Sequence, residues 1–168
     1  MPRMAATPAK PLSASAQRVQ DALAAAGVAT TVTEYENSAR TSAEAAAVLG
    51  CAVGEIAKSL VFRLPGGGAL LVIASGANRV DLAKLAAVLG HVPGKADAAF
   101  VREVTGYAIG GIPPLAHATP LTAIVDCDLL RYDLVHAAGG TPNAMFPIRP
   151  ADLVRVAGGR IADVALLT

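Results

Sequence analysis

The sequence predicts an α+β fold, a single compact domain with helices and strands interspersed around a mostly antiparallel or mixed β-sheet. Three observations carry that prediction. A chain of 168 residues has the length of one domain and can bury a full core without disulfide or metal staples. Hydrophobic residues make up 54% and charged residues 16%, which excludes a disordered or highly charged tail protein. Finally, β-rich runs bounded by turn residues pair as hairpins more often than they flank a helix, which disfavours a doubly wound fold.

Residues 1–12 carry Arg3 and Lys10 but no apolar stretch, so they read as a flexible leader and not a secretory signal, with the domain at 13–168. A first helix is expected from about Ser13 to Ala26, stopped by Gly27. Thr30 to Glu36 alternates and reads as a strand. Thr41 and Glu44 have the spacing of a capping box, opening a helix that ends at Gly50, and one further helical turn is expected over Val53 to Ala57. Lys58 to Leu64 and Ala69 to Ser75 form a hairpin around Pro65-Gly66-Gly67-Gly68. Asp81 caps a helix with Leu82, Leu85, Val88 and Leu89 on its buried side, closed by Gly90.

A short helix follows over Ala96 to Thr105, then a Gly/Pro-rich loop from Gly106 to Pro120. Strands are expected at Leu121 to Val125, at Leu134 to Ala138 and at Ala144 to Ile148, the last two around the turn Gly139-Gly140-Thr141-Pro142. Pro150 occupies the first position of a helix through Val156, and Arg160 to Leu166 reads as a last strand.

The uncharged run Val104 to Val125 is long enough to span a bilayer. Its glycines, its three prolines and His117 allow no continuous helix, and the membrane reading fails. Cys51 and Cys127 make no framework and no CxxC, which suits a reducing cytoplasm. The formal charge of +1 hides an uneven spread: residues 58–102 hold six cations against Asp81 and Asp97, a local net of +4. Such a section suits a phosphate backbone or an ordinary solvated face. No exposed heptad or apolar stripe indicates an oligomer.

Phosphate-binding GxxxxGK, GxGxxG and GxSxG patterns are absent, and the three histidines lack metal-ligand spacing, so no metal or cofactor is expected. Cys127 lies between two aspartates that would raise its thiol pKa, and both cysteines read as inert packing. Lys58 stands out. Period two puts it on the same strand face as Leu60 and Phe62, where an ammonium either snorkels to water or points into a pocket that needs a cation. The loop from Gly106 to His117 is the second feature. Its glycines and prolines can present rigid N–H donors to a carbonyl or oxyanion, or form an ordinary surface loop. His117 reads as a structural or substrate-positioning residue, with a general-base role as its alternative. Asp126 is a candidate for orienting a ligand amine, with turn capping as its alternative.

Together these segments resemble the YbaK/aminoacyl-tRNA-editing domain family, the prolyl-tRNA synthetase-associated or insertion-like editing domains. The resemblance rests on Thr41 to Ala46, Glu55 to Phe62, Asp81 to Leu85, Thr105 to Pro114, Val125-Asp126, Gly140 to Ala144 and Pro150 to Leu153. It runs in order from about Val28 to the C-terminus.

The resemblance implies a central mixed, partly barrel-like sheet surrounded by helices. It also implies a free-standing deacylase that hydrolyses the ester of mischarged tRNA, commonly a tRNA for proline carrying a smaller amino acid. The family's invariant lysine falls on Lys58, which would hold the terminal ribose or phosphate of the acceptor end. Its GxxxP motif falls on Gly110 to Pro114, with backbone groups around Gly110 and Gly111 fixing the scissile ester. Such enzymes use no protein nucleophile and position water with help from the substrate.

The candidate substrate contacts are Ser59, Leu60 and Phe62 on the lysine strand and Pro113, Pro114 and His117 on the loop. Asp126 and, in the turn that would line the amino-acid pocket, Thr141 and Asn143 complete them. Leu60, Phe62 and Thr141 would set the size limit. One departure is Ala116, where similar relatives carry glycine. The expected partners are the acceptor end of aminoacyl-tRNA and, as a candidate, prolyl-tRNA synthetase, in the cytoplasm. The alternatives are a non-catalytic module binding an acceptor end or nucleotide, and a hydrolase of some other small ester or amide.

Overall fold

The computed structural model describes residues 11–36, 39 and 41–167. Residues 1–10 of the expected leader lie outside them. Leu12, assigned to that leader, packs against the main core.

Helix α1 (Ala14–Ala25) starts where Ser13 Oγ accepts from Ala16 N–H. Strand β1 (Thr33–Glu34) is far shorter than the run expected over Thr30 to Glu36. The reason is Gln20 of α1, whose amide nitrogen donates to Thr30 O at 3.0 Å and whose oxygen accepts from Val32 N–H at 2.8 Å. One side chain thus satisfies backbone groups that a ladder would otherwise use. Helix α2 (Ser42–Leu49) begins at Thr41, whose hydroxyl accepts from Glu44 N–H, and ends at Gly50 in the left-handed region. A 3-10 turn (Val53–Glu55) leads into β2 (Ile56–Arg63), which pairs antiparallel with β3 (Ala69–Ser75) from Ala57 to Arg63.

Asp81 caps α3 (Leu82–Leu89), as expected, but Leu82 is 48% exposed. Leu85 is the position that enters the core, with Val88 and Leu89 half-buried beside it. Next come β4 (Gly94–Lys95), a two-residue strand the sequence did not signal, and α4 (Ala98–Thr105), capped by Asp97. Strand β5 (Thr122–Asp126) runs into an unexpected 3-10 helix (Cys127–Arg131). Strands β6 (Val135–Ala138) and β7 (Ala144–Ile148) form the second hairpin, followed by α5 (Pro150–Ala157) and β8 (Arg160–Ala162). The strand expected from Arg160 to Leu166 stops early. Asp163 turns the chain by accepting from Ala165 N–H, after which Val164 and Leu166 bond to the backbone of Asp81 and Arg79.

The eight strands form one mixed sheet in the order β1-β7-β6-β2-β3-β5-β8, with β4 also on β2. Pairs β2–β6, β3–β5 and β5–β8 are parallel and the others antiparallel. The path ends at β1 and β8, which do not pair, so the sheet does not close into a barrel. Strand β3 is buried throughout, which explains its unbroken apolar sequence. Leu71 and Ile73 face the main core with α1 and Phe146, while Leu70, Val72 and Ala74 face a second cluster with Leu85 and Val164. Among the described residues no helix is long and apolar enough to cross a membrane.

Candidate active-site cleft

The site begins as a gap in the sheet. Strand β6 pairs with β2 only at Ile56 and Ala57, and β4 only at Phe62 and Arg63. Between them the outer edge of β2 has no ladder partner. Gly76 N–H donates to Ile56 O and Leu64 N–H to Gly68 O, so the even-numbered residues of β2 turn their peptide groups toward β3. Ser59, in the middle of the gap, therefore turns its N–H and C=O outward.

A cleft of about 540 Å³ lies over this edge. One wall comes from the start of α2 (Thr41, Ser42, Ala45), and the floor from Ile56 to Leu60 with Gly76. The opposite wall is Ile109, Gly110, Ile112, Ala138, Pro142 and Met145. Among its described lining residues Lys58 is the single ionisable group. The Lys58 ammonium donates to the main-chain oxygen of Asn78 at 2.8 Å. Burial pushes its pKa below the ordinary lysine value, the nearby Arg79 adds to that, and Asp126 opposes it.

The loop after α4 is held by its own contacts. Gly110 has φ +93, a conformation that favours glycine. Gly111 serves packing: an added Cβ would lie 2.7 Å from the Thr141 backbone. Its peptide groups are already used, with N–H donating to Ala108 O and C=O accepting from Gly140 N–H, both at 3.0 Å. Pro113 and Pro114 are buried, and His117 folds back to reach Pro113 O at 2.7 Å through Nε2. A carbonyl only accepts, so that nitrogen carries the proton. Burial lowers the His117 pKa, with the Pro113 bond partly opposing. Ala116, at φ +65, is the one non-glycine residue with positive φ among those described, and its carbonyl accepts from the Tyr107 hydroxyl at 2.9 Å.

The structure thus brings Lys58, Ser59, Leu60 and Gly110 to one cleft, and Asn143 to a small pocket that shares Ala39, Ala45, Pro142 and Met145 with it, while the other candidates do not line the cleft. Phe62 packs against the second core cluster. Thr141 makes its hydroxyl contacts with Glu34 and Asn143, and Asn143 donates to Tyr35 O, so both residues tie the β6–β7 turn to β1. From that turn it is Pro142 that lines the cleft. Asp126 is fully buried, and its alternative as a turn cap is seen in the bond from Asp128 N–H to Oδ1 at 2.9 Å. Sequence reasoning missed Asn78, whose contribution is a main-chain carbonyl, and Ile109, whose 58% exposure on the rim contrasts with its apolar side chain. Position after Gly76-Ala77 was the only signal for Asn78.

Chemically, the cleft offers one cation, an unpaired stretch of backbone and a glycine turn. No histidine, cysteine or carboxylate stands among its described lining residues to act as nucleophile or general base. Both free cysteines have thiol pKa values raised, chiefly by burial, in keeping with inert packing. Such a site holds a polar, anionic or hydroxylated ligand in a fixed pose and leaves chemistry to an already activated bond.

Residues 36–156 match the family model described as the aminoacyl-tRNA editing domain. The chain belongs to that family, and its enzyme class is accordingly aminoacyl-tRNA deacylase, a hydrolase of translation fidelity. It is 34% identical over 122 residues to the protein YwhH of Bacillus subtilis (strain 168), covering 73% of this chain and 78% of that one. It is 31% identical over 115 residues to the multifunctional Ser/Thr-tRNA deacylase ProXp-y of Escherichia coli (strain K12), covering 66% and 69%. A crystal structure described as a candidate trans-editing enzyme for prolyl tRNA synthetase superposes with a TM-score of 0.88 at 47% identity, covering 94% of this chain and 100% of that one. The hypothetical protein APE2540 gives 0.82 at 34% identity, covering 89% and 99%.

Proposed function

We propose that this protein acts in trans on tRNA for proline carrying a small non-cognate amino acid, and that the cleft over the β2 edge is where the ester is hydrolysed. The observation that carries the reading is Lys58, the single ionisable group among the described residues of a cleft that also holds an unpaired strand edge and a glycine turn. The ammonium binds the terminal ribose or phosphate of the acceptor end. The backbone at Gly110 faces the ester carbonyl, and Ser59 offers its peptide groups to the aminoacyl moiety.

A positioned water attacks the ester carbonyl. The acyl C–O bond breaks, the ribose oxygen takes a proton, and the amino acid leaves as a carboxylate. An aminoacyl ester is activated enough that orientation supplies much of the rate, and the neighbouring ribose hydroxyl can position the water where no histidine or carboxylate stands among the cleft's described lining residues. Leu60, Ile112, Pro142 and Met145 set the size limit that rejects proline, since an apolar pocket selects chiefly by what fits. Serine and threonine are the first amino acids to test, since the E. coli relative is named a Ser/Thr-tRNA deacylase. Prolyl-tRNA synthetase is the candidate partner and the cytoplasm the place of action.

The test is a deacylation panel in which amino acid and tRNA are varied separately, run with wild type and Lys58→Ala. Hydrolysis of small-residue esters on tRNA for proline that drops sharply in the variant is expected. Equal rates for both proteins would remove Lys58 from the mechanism. Salt-sensitive tRNA binding with no turnover across the panel would overturn the deacylase reading in favour of a binding module.

A further inference from the structure

Asp126 is the only carboxylate among the fully buried polar residues described, at 0% exposed. A carboxylate in that position is costly unless donors surround it. Its Oδ2 accepts from Ser75 N–H at 3.0 Å and from the Asn78 side-chain amide at 2.9 Å, while Oδ1 accepts from Asp128 N–H. The Asn78 amide also donates to Asp128 Oδ2 at 2.7 Å. Capping the 3-10 helix uses Oδ1 alone. The second oxygen is committed to the end of β3 and the turn that leaves it, and this is where Asn78 presents its carbonyl to Lys58.

We infer that Asp126 is a positioning residue for Lys58: it clamps Asn78, and the main-chain oxygen of Asn78 then fixes the ammonium at the cleft wall. This deepens the functional reading above and rests on it. A lysine has four rotatable side-chain bonds, and holding its head before substrate arrives removes that disorder from the binding step. The two charged groups that bear on Lys58 work in opposite directions, Arg79 disfavouring the ammonium and Asp126 favouring it. Fully buried, Asp126 touches no ligand itself and acts through Lys58, by its contacts with Asn78 and by its charge.

The experiment follows the Lys58 side chain by NMR in lysine-labelled protein during an alkaline titration, with Lys58→Ala identifying the signal. In parallel, kcat and KM are measured on a mischarged tRNA for proline. In Asp126→Asn, Lys58 is expected to titrate at lower pH than in wild type, and kcat/KM to fall on the order of tenfold to a hundredfold, as for a misplaced binding group. Asn78→Ala keeps the Asp126 charge but cuts the clamp, and its kcat/KM should fall likewise, with the Lys58 signal moving toward that of exposed lysines. If Asp126→Asn does not fold, Asn78→Ala carries the test. Folded variants in which the Lys58 signal behaves as in wild type overturn the inference, even where activity has dropped. Full activity in Lys58→Ala would instead sink the functional reading, while the titration still decides whether Asp126 governs Lys58.

Discussion

Gly140 donates its backbone N–H to the carbonyl of Gly111 at 3.0 Å, joining the loop after α4 to the β6–β7 turn. Both residues are glycine for steric reasons. A Cβ on Gly111 would lie 2.7 Å from the Thr141 backbone, and one on Gly140, at φ +106, would lie 2.7 Å from Ser15 O. The junction holds Gly110 beside Pro142 on the same wall of the cleft, where a Cβ on Gly110 would lie 3.8 Å from the Pro142 ring. Gly111→Ala should therefore cost about 1–3 kcal/mol, as overpacking typically does. It should also lower deacylation more than its stability loss accounts for. Urea unfolding together with turnover at a temperature where the variant stays folded would check this. Wild-type stability and activity would show that the two loops do not depend on this contact.

Ala116 sits at φ +65, a conformation that disfavours a residue with a Cβ by roughly 1–2 kcal/mol. Part of that is offset because glycine makes the unfolded chain more disordered. Ala116→Gly should stabilise the protein by under about 1 kcal/mol. The His117 and Tyr107 contacts that bracket this turn should survive. A chemical-denaturation midpoint that moved down would show that the Ala116 side chain has packing worth more than the backbone strain.

The histidine pKa directions fix a pH effect on stability. Burial lowers the pKa of His117 and of His136 in the folded state, with the Pro113 bond and Glu55 respectively opposing. The unfolded chain, with histidine near ~6.5, then binds protons first as pH falls. Stability should be full above that value and decline as pH drops through it toward the folded-state pKa. His117→Gln should flatten part of the slope between pH 7.5 and 5.5 in thermal unfolding. An unchanged slope would mean that His117 is protonated as readily folded as unfolded.

Much of this arrangement was legible from local chemistry, and the rest was not, for specific reasons. Asp81 and Thr41 each cap a helix through their own side chains, so sequence alone placed those helix starts, whereas the cap at Asp97 went unread and that helix was expected to begin at Ala96. Gln20, by contrast, replaces a strand ladder from twelve residues away, and no periodicity encodes that. Lys58 was found because an ammonium on an apolar face is unusual. That Phe62, Thr141 and Asn143 are not among the residues lining the cleft beside Lys58 was not legible, because strand face and loop membership do not show where a sheet is interrupted. Asn143 lines a small pocket that shares Pro142 and Met145 with that cleft. The interruption itself arises from β6 and β4 both being short, a property of pairing between distant segments.

That interruption gives the sharpest test of the cleft. Proline removes a backbone N–H and is tolerated in strands only where that donor faces away from the ladder. Ser59 turns its N–H toward the gap, whereas Leu60, paired with Val72, turns its own toward β3. Ser59→Pro should therefore fold with little loss of stability, because the β2–β3 ladder stays intact, while Leu60→Pro should lose ~3 kcal/mol or more. If the Ser59 donor holds the aminoacyl group, Ser59→Pro should lower kcat/KM on mischarged tRNA by about tenfold, and Ser59→Ala, which keeps the N–H, should not. Equal activity in wild type, Ser59→Ala and Ser59→Pro would mean that the open strand edge takes no part in holding the substrate, leaving Lys58 and the Gly110 turn to orient the ester alone.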